Sequence, residues 1–118
     1  MAYAGGRGRS RYAVSELLST PDTVRFWRKV DGCGREDAAS ARLPDTDPAD
    51  GSTVTRIDSR CPAGRDVVLY RVDGGGHRMP GRPDAKHTAI VTRLLGPQNH
   101  DIDGAATIWA FFARFSKP

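Results

Sequence analysis

The chain has 118 residues, a formal charge of +4, 38% hydrophobic residues and 27% charged ones, a size and balance that allow one compact unit and exclude a wholly disordered chain. No run of about 18 apolar residues occurs, which excludes a membrane-spanning helix, and no apolar signal segment opens the chain, so any secretion signal is expected on a longer parent chain. Seven cations (Arg7, Arg9, Arg11, Arg25, Arg28, Lys29 and Arg35) crowd the first 35 residues against three acids, Glu16, Asp22 and Asp31.

In chain order, the Gly/Arg-rich opening GGRGRSR can meet phosphate groups electrostatically. Only Tyr3 and Tyr12 stand near it as stacking aromatics, so residues 1–18 read as a flexible basic loop in solvent. Ser19 or Thr20 then caps a helix over residues 21–31. Pro21 loses no needed donor in its first turn, and Asp22 faces the positive helix end. Val24, Trp27 and Val30 share one stripe, and Gly32 is the stop signal. A polar Asp/Ala/Pro loop follows over residues 38–51.

Residues 53–59 and 66–72 are rich in β-branched and aromatic side chains and flank RCPAGR, which predicts a hairpin. The first strand alternates as a half-exposed one does. Val67, Val68, Leu69 and Tyr70 are continuously apolar, the pattern of a strand covered on both faces. Residues 74–81 are turn chemistry, and within residues 82–98 only 88–95 suggests a turn of helix. Asp103 caps a last helix whose apolar face comprises Ile108, Trp109, Phe111, Phe112 and Phe115. Two apolar helices and one interior strand point to an α/β fold that offers its helices little sheet to cover, as a portion of a larger sandwich would.

His77 is the candidate for chemistry, because it follows Gly74, Gly75 and Gly76 directly after the apolar strand. Such a turn can project an imidazole, able to transfer protons near neutral pH, over the carboxyl end of a sheet. A loop histidine hydrogen-bonded to backbone fits the same four residues equally well. None of Ser10, Ser15, Ser19, Ser40, Ser52, Ser59 or Ser116 sits in the G-x-S-x-G turn that presents a nucleophilic serine in α/β folds. Cys33 and Cys61 are the only cysteines. With His87 and His100 they show no short ligand spacing, so no metal and no cofactor is expected.

Three stretches, FWRKVDGC (residues 26–33), VVLYRVDGGGHRMPG (67–81) and HDIDGAATIWAFFARF (100–115), resemble the polyhydroxybutyrate depolymerase and feruloyl esterase group of α/β-hydrolases. The resemblance extends over nearly the whole chain and implies the C-terminal part of that fold: a helix, a hairpin with the last core strand, a histidine loop and a closing helix. It makes His77 the triad histidine, supported by Gly74, Gly75, Gly76 and Met79. It also implies that the serine and aspartate precede Met1 in an N-terminal portion of the same fold, since AYAGGRGRS resembles the stretch just downstream of the family's aspartate. Many members carry tryptophan where Met79 stands, which leaves open the wall beside the acyl group. The implied substrate is a polyester or a feruloyl or acetyl ester, and the implied setting is secreted, with a bridge between Cys33 and Cys61. The alternative for the cysteines is a pair of unpaired thiols in a cytosolic protein. The alternatives for function are a basic module for nucleic acid or an acidic partner, and a remnant without activity.

Overall fold

The computed structural model describes residues 3–9, 14–83 and 88–115. Its elements in chain order are β1 (Gly6–Arg9), β2 (Val14–Leu17), α1 (Thr20–Val30), β3 (Asp37–Arg42), a short 3-10 turn (Pro48–Asp50), β4 (Thr53–Ser59), β5 (Val68–Asp73), α2 (Thr88–Leu95) and α3 (Gly104–Phe112). Strands β1 and β2 form a two-stranded antiparallel ribbon, and a three-stranded antiparallel sheet has the order β3-β4-β5. The fold is therefore a small mixed α/β arrangement. Spatial proximity groups the chain into two compact units, Met1–Ala39 with Asp58–Leu69 and Ser40–Ile57 with Tyr70–Pro118.

In the first unit, the basic opening expected as a loop carries the ribbon, paired Gly6 with Leu17 through Arg9 with Val14. Its Gly/Arg composition hides the strand signal, because glycine and arginine carry little strand preference. Helix α1 starts as the local rules require. The Ser19 hydroxyl accepts from Asp22 N at 3.0 Å and donates to Asp22 Oδ2 at 2.6 Å, while Pro21 occupies the first turn. Ser19 rather than Thr20 is thus the cap. At the other end Asp31 N donates to Trp27 O (2.9 Å) and Cys33 N to Arg28 O (2.8 Å), around Gly32 at φ +71°.

The Cys33–Cys61 disulfide then ties the end of α1 to the hairpin turn, and Gly34 N donates to Arg60 O at 2.7 Å beside it. The second anchor of this region is Arg28. Its Nε donates to Ser59 Oγ (2.6 Å), its Nη1 to Arg35 O (3.1 Å), and its Nη2 pairs with Asp37. The side chain is only 14% exposed, so a residue that reads as surface charge is a structural rivet.

In the second unit the only buried hydrophobic side chain among the described residues is Val54, and Leu43 N donates to its carbonyl at 2.9 Å. Residues 37–42, the first part of what reads as a polar loop, form β3, every residue of which is exposed. Sequence patterning misses such a strand because it has no apolar alternation and is held by backbone pairing and the Arg28–Asp37 ion pair. Residues 67–70 are half-buried rather than covered on both faces. The strand order also puts β5 at an edge of its sheet rather than inside it. Helix α2 occupies residues 88–95, and Asp103 caps α3 by accepting from Ala106 N at 3.0 Å, both as the sequence indicates. No helix is long and apolar enough to cross a membrane among the described residues.

Candidate functional site

Strand β5 ends at Asp73 and turns at Gly74, whose φ of +83° is the left-handed region that glycine enters without strain. A Cβ there would meet Gly51 O at 2.6 Å. Two residues on, Gly76 lies directly against the Leu95–Gly96 backbone, with Gly76 N donating to Pro97 O at 2.7 Å and His77 N to Leu95 O. The lacing continues beyond His77: Gln98 Nε2 donates to Met79 O (2.9 Å), Gly81 N to Asn99 O (3.0 Å) and Gly104 N to Pro80 O (2.9 Å). The loop is fixed on both sides of the histidine, while the His77 side chain stays exposed. Its ring has no hydrogen-bond partner among the described residues.

Met79 is itself largely exposed, yet its sulfur abuts Gly104 at the start of α3, where an added Cβ would sit 2.6 Å from Sδ. Beside it lies a cleft of about 190 Å³ lined by Tyr70, Val72, Met79, Pro80, Ile102 and Ile108 with Thr107. The lining is apolar apart from two hydroxyls. Of the serines with described side chains, Ser19 serves the α1 cap, Ser59 accepts from Arg28, and Ser52 is buried against Asp50 and Asn99. Ser10, His87 and Ser116 lie outside the described residues.

A second constellation surrounds His100, which carries no local motif. Its Nδ1 lies 2.7 Å from Asp47 Oδ2 and 4.0 Å from Asp50 Oδ2, and its backbone N donates to Asp50 Oδ2 at 2.8 Å. Asp50 Oδ1 accepts from both the N (2.7 Å) and the Oγ (2.6 Å) of Ser52, and Ser52 Oγ accepts in turn from Asn99 Nδ2 at 2.8 Å. Asp101 closes the knot by accepting from Thr46 N at 2.8 Å. Burial opposes ionisation of Asp50, whose side chain is 2% exposed. Hydrogen bonds from Ser52 Oγ, His100 N and Ser52 N outweigh that and hold its carboxyl below the ordinary value.

The cluster was invisible from sequence because Asp47 and Asp50 stand some fifty residues from His100. It gives His100 what His77 lacks, a carboxylate on Nδ1 that orients the ring. Ligand atoms of Asp47, Asp50 and His100 lie within 4.8 Å of one another, a spacing open to a divalent cation. Each is already engaged in a hydrogen bond, so the arrangement is complete as a structural knot.

Cys33 and Cys61 form the disulfide that the resemblance implies. Compared with models of protein families, with curated proteins and with solved structures, the chain shows no significant match.

Proposed function

We propose that this chain is the histidine-bearing C-terminal part of a serine carboxylic-ester hydrolase of the α/β-hydrolase kind, acting on polyhydroxyalkanoate, feruloyl or acetyl esters. The observation that carries the reading is the sequence of parts after β5: a glycine turn, an exposed His77 on a backbone fixed at both sides, and a capped apolar helix. In such an enzyme a serine attacks the ester carbonyl, His77 takes its proton and returns it to the leaving alcohol, and an aspartate holds the imidazole tautomer. The apolar cleft beside Met79 supports an acyl-bearing substrate. The disulfide supports an oxidising, extracytoplasmic setting.

Neither a G-x-S-x-G turn nor a carboxylate on the described His77 ring is available, so the chain alone is expected to be inactive. The nucleophile and the orienting aspartate belong to an upstream portion of the same fold. The test is twofold. A fluorophosphonate probe should leave the 118-residue chain unlabelled. In a longer product that includes an in-frame G-x-S-x-G and an aspartate, His77→Ala should cut kcat by roughly 10³-fold or more with KM little changed. Stoichiometric labelling of the short chain, or near-normal turnover by the His77 variant, would sink the proposal.

A further inference from the structure

We propose that the groove beside α1 binds the phosphate group of a small phosphorylated ligand, independently of any chemistry at His77. The groove has a volume of about 560 Å³ and, among the described residues, is lined by Arg25, Arg28, Lys29, Cys33, Gly34 and Arg35, four cations and no carboxylate. Two of the four are neutralised: Arg25 pairs with Asp22, and Arg28 with Asp37. Lys29 and Arg35 are exposed, and neither side chain has an acidic partner among the described residues. The lining therefore carries two positive charges in excess, which matches the charge of about −1.5 to −2 on a phosphomonoester at neutral pH. A carboxylate would leave one of them unmatched.

The backbone beneath these side chains is held in place before any ligand arrives. Arg25 and Lys29 are one turn apart on the same flank of α1. Arg35 follows the disulfide at Cys33 and the Gly34 N to Arg60 O hydrogen bond, and its own carbonyl accepts from Arg28. An ammonium and a planar guanidinium suit a tetrahedral oxyanion, and their anchored backbones leave only side-chain ordering to be supplied on binding. The negative end of the α1 dipole works against an anion here. That end is largely satisfied, since Asp31 N, Gly32 N and Cys33 N donate to Trp27 O, Lys29 O and Arg28 O. At about 560 Å³ the groove also exceeds the needs of a bare ion. The phosphate would occupy one end and leave room for the organic group that bears it.

The experiment is calorimetric titration of the disulfide-bonded chain with inorganic pyrophosphate, repeated at raised KCl and with acetate and single-stranded DNA as comparisons. The expected result is saturable binding with one pyrophosphate per chain, weakening with salt, and no saturation by acetate. Lys29→Ala combined with Arg35→Ala should weaken it about tenfold or more while the melting curve is unchanged, because both side chains are exposed. Arg7→Ala with Arg9→Ala should leave it as it was. Absence of saturation at millimolar pyrophosphate, indifference to the Lys29 and Arg35 changes, or dependence on Arg7 and Arg9 would overturn the site. So would DNA binding far tighter than pyrophosphate with a stoichiometry set by strand length, which would mark a nucleic-acid surface instead.

Discussion

Asp50 is a carboxylate that the fold cannot easily do without. It receives three hydrogen bonds, from Ser52 N, Ser52 Oγ and His100 N, so an amide in its place would turn a donor toward a donor. Asp50→Asn should therefore cost about 1–3 kcal/mol at neutral pH, read as a lower urea midpoint with an unchanged slope. The pH dependence has a definite sign. The folded carboxyl titrates below its ordinary value, so its contribution is present above the unfolded pKa of about 3.9 and fades as pH falls through the lower folded value. The Asn variant should lose that acid limb of the stability profile, and an identical limb in both proteins would contradict the assignment. Gly76→Ala is the matching change at the histidine loop. Its new Cβ would collide with the backbone at Gly96, so amide exchange should quicken at His77 and Gly76 together. The glycine turn that carries His77 was legible because it is local in sequence, whereas the Asp47, Asp50 and His100 knot leaves no local trace.

Helix α1 was legible to within a residue at each end and α3 at its start, because those boundaries are set by neighbours in sequence: a hydroxyl or carboxylate cap and, for α1, a proline in the first turn and a glycine at the stop; α3 has no such stop and ends at Phe112, short of Phe115. The strands divide differently. β4 and β5 carry β-branched residues and were found, but β3 has the sequence DAASAR with all six residues exposed, and only pairing with β4 makes it a strand. The same limit hid the role of Arg28, whose partners Ser59, Arg35 and Asp37 converge only after folding. These two kinds of contact can be separated by mutation. Ser19→Ala should cost about 0.5–2 kcal/mol through loss of the cap alone. Arg28→Lys should cost more than an ordinary surface change, since an ammonium cannot reproduce a guanidinium fork that serves three acceptors. Equal denaturation midpoints for Arg28→Lys and the unchanged protein would show that the fork is dispensable.

At the scale of the whole molecule, the balance of covered and uncovered apolar surface is the dominant fact. Val54 is the sole buried hydrophobic among the described residues, while in the first unit Phe26, Trp27 and Val30 are exposed, and in the second Leu94 and Trp109 are 76% and 74% exposed. Burying such side chains is worth roughly 1.5–3 kcal/mol each, so leaving them in water forgoes most of what stabilises a domain. The isolated chain is expected to self-associate or to melt broadly; light scattering after size exclusion and calorimetry check this. A sharp two-state melt of a monomer would refute it. The α/β class was legible from the order of elements, and the shortage of sheet for the helices to cover was legible too. That shortage already implied uncovered apolar faces, although a sequence pattern marks which face is apolar without saying how far a partner layer covers it.

The cross-link between Cys33 and Cys61 encloses β3 and β4 entirely within one covalent ring. A protease that cuts the exposed stretch at Pro44, Asp45 and Thr46 opens this ring without dividing the molecule. The nicked protein should run as a single species on a non-reducing gel, heavier by one water in intact mass, and fall into two chains only after reduction. β3 and β4 would then lie on opposite sides of the nick while their strands stay tethered through sulfur, so the clipped form should re-form its sheet after dilution from denaturant as a unimolecular process, at a rate independent of protein concentration.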